Sequence, residues 1–264
     1  MIRAQGLVKK FGDFTAVDNI EFDVAKGEIF AFLGPNGAGK TTTIKMLTTL
    51  LKPTSGSVSL DGLDPVTHQT AARKQFGIVF QDPSVDDELT AYENMDFHGV
   101  LYGVPRRVRL ERIENLLKLF ELWDRRNDQV KQFSGGMRRR LEIARSLLHT
   151  PKIIFLDEPT LGLDPQTRNQ LWTHVRKLNE DEHVTVFLTT HYMEEAERIA
   201  HRIAIIDHGR IIAQGTADEL KTRTDTESLE QAFLALTGDT IREEEASGLD
   251  KIRTMTRAFG RRKW

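Results

Sequence analysis

Eight consecutive residues, Gly34-Pro35-Asn36-Gly37-Ala38-Gly39-Lys40-Thr41, lie between the apolar run Ile29 to Leu33 and the stretch Thr42 to Leu51. A short apolar strand, a glycine-rich turn and a helix that opens with Lys and Thr is the setting in which this spacing cradles a polyphosphate. Gly34, Gly37 and Gly39 leave no side chain to hold a polyanion off the backbone, so successive N–H groups and the positive end of the helix face the same oxygens. Lys40 adds a mobile positive charge. Thr41, followed by Thr42, offers a hydroxyl where a magnesium ion bridging two phosphates takes an oxygen ligand. A turn that only capped a helix would need neither Lys nor Thr at its end.

A second group of candidates follows from that cradle. Ile153-Ile154-Phe155-Leu156-Asp157-Glu158 is an apolar run ending in two carboxylates, which is costly in solvation unless cations or catalytic partners accompany them. Asp157 then holds magnesium through its hydration shell and Glu158 acts as base or water-positioning group at the γ-phosphate, the alternative being a structural ion pair. Val184 to Leu188 ends in Thr189-Thr190-His191, where His191 could contact the γ-phosphate and orient Glu158 or the water. Gly77 to Phe80 delivers Gln81 to the end of a strand, either as a sensor of metal or water or as an ordinary polar residue leaving a sheet. Phe133-Ser134-Gly135-Gly136-Met137 precedes Arg138-Arg139-Arg140 and reads as a second phosphate site at a helix N-terminus, or as a plain cap with a solvated arginine face. Phe11, ahead of the turn at Gly12-Asp13, either stacks on an adenine ring or fills the core.

The elements that must carry these residues follow an α/β pattern. Residues 2–34 read as β-rich, with Leu7-Val8, the alternating Ile20 to Val24 and the wholly apolar Ile29 to Leu33, a strand covered on both faces. Ser57 to Gly62 is a short strand, Gln69 to Phe76 a helix and Gly77 to Phe80 a strand. From Asp82 to about Thr150 the strand signals stop, and Thr90 to Leu101, Val108 to Phe120 and the stretch after Ser134 show helical periodicity, so this is a helical insertion. Leu161 to Pro165 turns into a helix reaching about Asn179. Arg202 to Asp207 and Arg210 to Ala213 pair around His208-Gly209, and a short helix runs to Lys221.

With 264 residues the chain can bury a sizeable core, and 37 basic against 39 acidic residues predict no strong attraction to nucleic acid. Cysteine is absent, which excludes disulfides and thiolate metal sites and fits a reducing compartment. The start lacks the pattern of a secretory signal, and no segment approaches the ~18 apolar residues needed to span a bilayer. Any membrane role is expected through another chain.

The order of parts, from Gly34–Thr41 through Gln81, Ser134-Gly135-Gly136, Asp157-Glu158 and Asp164 to His191, resembles the nucleotide-binding subunits of ABC transporters over about residues 2–220. The resemblance implies a P-loop NTPase core with an antiparallel β subdomain and a helical subdomain at about 82–150, within a body spanning 1–222, followed by a C-terminal segment 223–264. It implies ATP hydrolysis with Mg2+ held by Thr41, Gln81 and Asp157, and Glu158 and His191 as catalytic residues. ATP would contact Phe11, Val17, Gly34 to Thr41 and Thr42 in one subunit and Ser134, Gly135, Gly136 and Asp164 in the other, across a head-to-tail homodimer. Met137 stands where the family's signature has Gln. With Thr189-Thr190-His191-Tyr192-Met193-Glu194-Glu195-Ala196, this looks like the daunorubicin-resistance and nodulation-export branch, which pairs with a separate ABC-2 type permease. That implies export, driven from the cytoplasmic face of the cell membrane. The competing expectation is a soluble ATPase that remodels a ribosome or a nucleic-acid complex, though such proteins usually resemble two fused cassettes and this motif set occurs once. Ser228 to Gly238 is an amphipathic helix with a glycine stop. Beyond it, Ile252, Met255 and Phe259 recur among basic residues, either to dock on lipid headgroups or a partner or as a solvated tail.

Overall fold

A computed structural model of the chain describes residues 1–238; the expectations for Ile252, Met255 and Phe259 lie outside these. Alternating apolar positions fold β1 (Ile2–Phe11) and β2 (Phe14–Val24) into a hairpin, and β4 (Ser55–Leu60) joins them in an antiparallel sheet of order β2-β1-β4. The main sheet contains β3 (Ile29–Leu33), β5 (Phe76–Val79), β6 (Ile153–Asp157), β7 (Thr185–Thr190), β8 (Arg202–Asp207) and β9 (Arg210–Gly215). Its order is β5-β6-β7-β3-β8-β9, with only β9 antiparallel to its neighbour.

Every residue of β3, β6 and β7 is buried. Both faces of the main sheet are therefore covered, as parallel strands require. One face meets the small sheet through Phe22, Phe30, Phe32, Phe155 and Phe187, whose neighbouring rings pack with centroids 5.6–5.8 Å apart. The other face is covered by helices.

The helices in chain order are α1 (Lys40–Leu47), α2 (Gln69–Arg73), α3 (Ala91–Leu101), α4 (Arg106–Leu119), α5 (Gly135–Ser146), α6 (Pro165–Glu182), α7 (Met193–Ile199), α8 (Ala217–Thr224) and α9 (Leu229–Thr237). No strand interrupts the stretch between β5 and β6, where α3, α4 and α5 form the expected helical insertion. Thr90 caps α3 through a capping box with Glu93, so this helix starts where its sequence says. The helix foreseen to Phe76 stops at Arg73 instead. Phe76 is buried, pairs with Ile153 and meets Phe155 edge-on, and that burial outweighs helical continuity. The helix after the glycine loop ends at Leu47 rather than Leu51, because Thr49 at φ 67° turns the chain away. In α9, Leu229 and Phe233 join the same buried cluster as the helical face of the sheet, and contacts with α7 and α8 hold this helix in place.

At the edge of the insertion His98, Tyr102 and His149 stack, with Tyr102 and His149 centroids 3.9 Å apart. Burial, reinforced by the Arg145 charge, pushes the His98 pKa down to about 3. Burial likewise pushes His149 down to about 4, against the 3.0 Å hydrogen bond that its Nε2 donates to the Phe76 carbonyl. The unfolded chain takes up these protons below about pH 6.5 while the folded one resists them, so stability is full above that value and falls as pH drops toward 4. Thermal melts from neutral pH to about pH 4.5 should show that fall, and His98→Asn, which cannot titrate, should flatten it; an equally steep fall in the variant would remove His98 from the cause.

Candidate functional site

The parallel register brings the chemistry together. Leu33 pairs with Thr190 and Asp157 with Thr189, so the glycine loop after β3 and the acids after β6 flank the carboxyl end of β7. That is where open α/β sheets bind ligands. Within the loop Gly34 and Ala38 are buried, while Asn36 and Gly37 reach solvent. Gly39 takes φ 108°, and a Cβ there would lie 2.7 Å from Ala16 O and 3.3 Å from the Cγ2 of Val17. The loop thus rests on β2, with Val17 fully buried beneath it.

Lys40 is 6% exposed. Its Nζ donates to Gly34 O at 2.6 Å and Pro35 O at 3.1 Å, and lies 3.1 Å from Glu158 Oε1. One cation therefore joins the cradle to the acid pair. Thr41 Oγ1 donates to Asp157 Oδ1 at 3.3 Å, and Thr189 Oγ1 donates to the same oxygen at 2.6 Å. Burial raises the Asp157 pKa, and the two threonine hydrogen bonds oppose the rise. Asp157 Oδ2 is buried without a hydrogen-bond partner. A buried carboxylate oxygen left open next to a threonine hydroxyl suits a hydrated divalent cation, so Thr41 and Asp157 fit the expected Mg2+.

Glu158 sits at φ 48°, a strained conformation for a residue with a side chain that costs about 1–3 kcal/mol. Its N–H holds it there by donating to Thr189 Oγ1 at 3.0 Å and Thr189 O at 3.2 Å. Burial would lift its pKa, but the 2.8 Å contact with His191 Nδ1 and the Lys40 charge outweigh it and hold the carboxyl below its ordinary range. Glu158 is thus ionised at neutral pH. Gln81 is exposed just past β5. Phe11 is 46% exposed beside Phe14, with Lys9 Nζ 5.1 Å above its ring, so it does not fill the core.

The Ser134 turn stands apart from the cradle. Ser134 Oγ accepts from Met137 N at 3.3 Å, which caps α5, and Asp164 caps α6 by accepting from Thr167 N and Oγ1 at 3.0 and 2.6 Å. The two caps touch: a Cβ on Gly136 would meet Thr167 Cγ2 at 2.3 Å, and one on Gly135 would lie 3.9 Å from Leu163. Among the described residues, no hydrogen bond or ion pair joins Ser134, Gly135 or Gly136 to the Gly34–Thr41 loop.

Sequence reasoning missed three supports. Thr189 holds both acids with one hydroxyl, and only the β6–β7 register reveals it. Glu195 Oε2 accepts from Thr160 Oγ1 at 2.8 Å and Thr190 Oγ1 at 3.4 Å, joining the segment after Glu158 to the one before His191. Burial raises its pKa, and nothing in Glu194-Glu195 says which of the two faces inward. Arg139 is the third.

A strand-loop-helix cradle, a buried acid pair and a helical insertion on one parallel sheet define an ATPase cassette. The ABC transporter family profile matches residues 17–161, and the chain belongs to this family as an ATP-binding and ATP-hydrolysing subunit. It is 48% identical over 221 residues to the daunorubicin/doxorubicin resistance ATP-binding protein of Streptomyces peucetius, covering 84% of this chain and 67% of that one. It is 42% identical to the daunorubicin resistance ATP-binding protein DrrA3 of Streptomyces coeruleorubidus, over 91% of this chain and 79% of the relative. To the Nod factor export ATP-binding protein I of Ralstonia nicotianae it is 42% identical, over 84% and 69%. Among solved structures it is similar to an ATP-binding subunit of an ABC transporter (TM-score 0.81, 29% identity, 89% of this chain and 99% of that one). A dimeric bacterial ABC transporter cassette matches with TM-score 0.74 and 31% identity, over 82% and 98%.

Thr189→Val keeps the branched shape but removes both hydrogen bonds to the acids. Stability should fall by about 1–3 kcal/mol and the ATPase kcat by about tenfold or more. Steady-state kinetics beside a denaturant titration would check this, and a wild-type kcat would show that Thr189 does not set the acid geometry.

Proposed function

We propose that two copies of this chain pair head to tail, each ATP lying on Gly34–Thr42 of one copy and closed over by Ser134, Gly135, Gly136 and Asp164 of the other. The observation that carries this reading is the separation of the two phosphate-type N-termini. Lys40, Asp157, Glu158 and His191 converge on the first, while the Ser134 turn shares no bond with it. A chain whose second cradle cannot serve its own first cradle is complete only with a second copy. A similar cassette solved as a dimer in a post-hydrolysis state with ADP and Pi supports the pairing of two copies.

On this reading Lys40 exchanges Glu158 and the loop carbonyls for phosphate oxygens, Phe11 stacks on the base and Val17 floors the site. Freed of Lys40 and still held by His191, Glu158 takes a proton from the attacking water. The new P–O bond forms as the bond from the γ-phosphorus to the bridging oxygen breaks, leaving ADP and phosphate. Thr41, Asp157 and Gln81 would hold Mg2+, which when bound supplies neutralising charge at the β- and γ-oxygens. Loss of the γ-phosphate removes the shared anion and the copies part.

We further propose that this cycle drives a separate ABC-2 type permease in export, from the cytoplasmic face of the cell membrane. No helix among the described residues is long and apolar enough to cross a membrane. On α3, Phe97, Val100 and Leu101 are 60%, 53% and 67% exposed, an apolar face suited to a partner. Residues 82–150 act as the helical subdomain of the 1–222 body, and α9, which opens the C-terminal segment 223–264, packs on that body through α7 and α8. Remodelling of a ribosome or nucleic-acid complex has less support, since the similar proteins are named for resistance and export.

Glu158→Gln should lower kcat about a hundredfold or more and trap an ATP-bound dimer on size exclusion. Unchanged turnover would remove Glu158 from the base role, and a variant that stays monomeric with ATP would end the paired reading. Leu101→Asp combined with Phe97→Asp should leave the ATPase of the isolated chain intact yet abolish co-purification with the permease; retained co-purification would place the permease elsewhere.

A further inference from the structure

Arg139 and Glu142, one turn apart on α5, are among the most deeply buried charges described, at 6% and 2% exposure. Burying a pair this completely is costly unless nearly every donor and acceptor is used, and here they are used on a single target. Arg139 Nη1 donates to Phe80 O at 2.6 Å and to Glu142 Oε2 at 3.0 Å, and its Nη2 donates to Gln81 O at 2.9 Å. Glu142 Oε1 accepts from Ser84 N at 2.6 Å and Ser84 Oγ at 3.2 Å. Arg145, a turn further on, donates to Ser84 O at 2.9 Å and to Ser84 Oγ. Three residues on one face of α5 thus hold the backbone of residues 80–84 at both ends. Burial lowers the Arg139 pKa, and Glu142, Asp157 and Asp82 oppose this, so the guanidinium also feels the acid at the end of β6.

The geometry is asymmetric in a useful way. The backbone of Gln81 is held, while its side chain is exposed toward solvent. The helix that does the holding begins at the Ser134 turn. Of the three consecutive arginines, only Arg139 faces this segment; Arg138 reaches Asp87 and Lys131 O, and Arg140 reaches Glu121 and Phe120 O.

We propose that the Arg139–Glu142 pair is a positioning clamp that makes residues 80–84, and with them Gln81, travel with α5, so that the state of one nucleotide pocket passes directly to the Ser134 turn offered to the other. This rests on the pocket assignments of Gln81 and Ser134 proposed above. A twelve-residue helix is stiff over this distance, so displacing the Gln81 loop displaces the helix N-terminus rather than only bending a surface segment. The clamp would act on turnover and metal use, not on nucleotide binding, because Lys40 and its loop are held by other contacts.

The test uses the full chain with ATP and Mg2+. Arg139→Leu combined with Glu142→Leu removes both charges without leaving one buried alone, a replacement that stability commonly tolerates. The double variant should melt near the wild-type temperature and bind a fluorescent ATP analogue within about threefold of wild type, while kcat falls about tenfold or more and half-saturating Mg2+ rises. Gln81→Ala should cause a loss of similar size, and adding it to the double variant should cost nothing more, since residues acting as one unit are not additive. Arg139→Lys should fail to rescue, because an ammonium cannot span two carbonyls and a carboxylate in the same plane. If the double variant does not fold, Arg139→Gln carries the same readouts with a milder change. Wild-type kcat in the pair variants, rescue by Lys, or losses that multiply with Gln81→Ala would overturn the clamp and leave the paired-pocket reading standing. Gln81→Ala at the wild-type rate would overturn both the clamp and the assignment of Gln81.

Discussion

Two carboxylates at the end of a fully buried strand are the constraint from which the rest of the site follows. Asp157 and Glu158 cannot stay charged there without compensation, and each obtains it differently. Asp157 takes two threonine hydroxyls and keeps one oxygen open. Glu158 takes Lys40 and His191, at the cost of a strained backbone. Lys40 is thereby drawn across from the phosphate cradle to the acids. On the proposed reading, a nucleotide that claims Lys40 would release Glu158 in the same motion and so link binding to the availability of that carboxylate.

The same economy of charge recurs on α5. Buried Arg139 and Glu142 there direct their hydrogen bonds to each other and to the segment after β5. Side chains anchoring a loop through its backbone set where the loop sits without limiting what its own side chains do. This leaves the side chain of Gln81 exposed while its backbone is held. The Glu195 contacts with Thr160 and Thr190 do the parallel work between the segments that follow β6 and β7.

Much of this was legible early because its signals are local. The Gly34–Thr41 spacing, the apolar runs before Gln81, Asp157 and His191, and the capping residues Ser134, Asp164 and Thr90 each state their geometry within a few residues. The element limits at Phe76 and Leu47 were less readable, since a buried edge pairing and a left-handed Thr49 decide them. The alternatives for Phe11 and for the arginine run turned on exposure, which no short window of sequence reports. Phe11 proved open to solvent, and Arg139 proved buried where a solvated face was one of two expectations.

The amino-acid sequence by itself determined the kind of chemistry: a backbone cradle for phosphate, a carboxylate pair and a histidine, carried in an order that belongs to one family. These depend on residue type and short spacing, which survive any change in long-range packing. Tertiary structure alone decided which neighbours those groups have. The β6–β7 register places Thr189 beneath both acids, and the phase of α5 selects Arg139 over Arg138 and Arg140. The turn of α7 likewise selects Glu195 over Glu194. Register and helical phase are settled by the packing of the whole sheet against its helices, so they appear only once the distant parts of the chain have met.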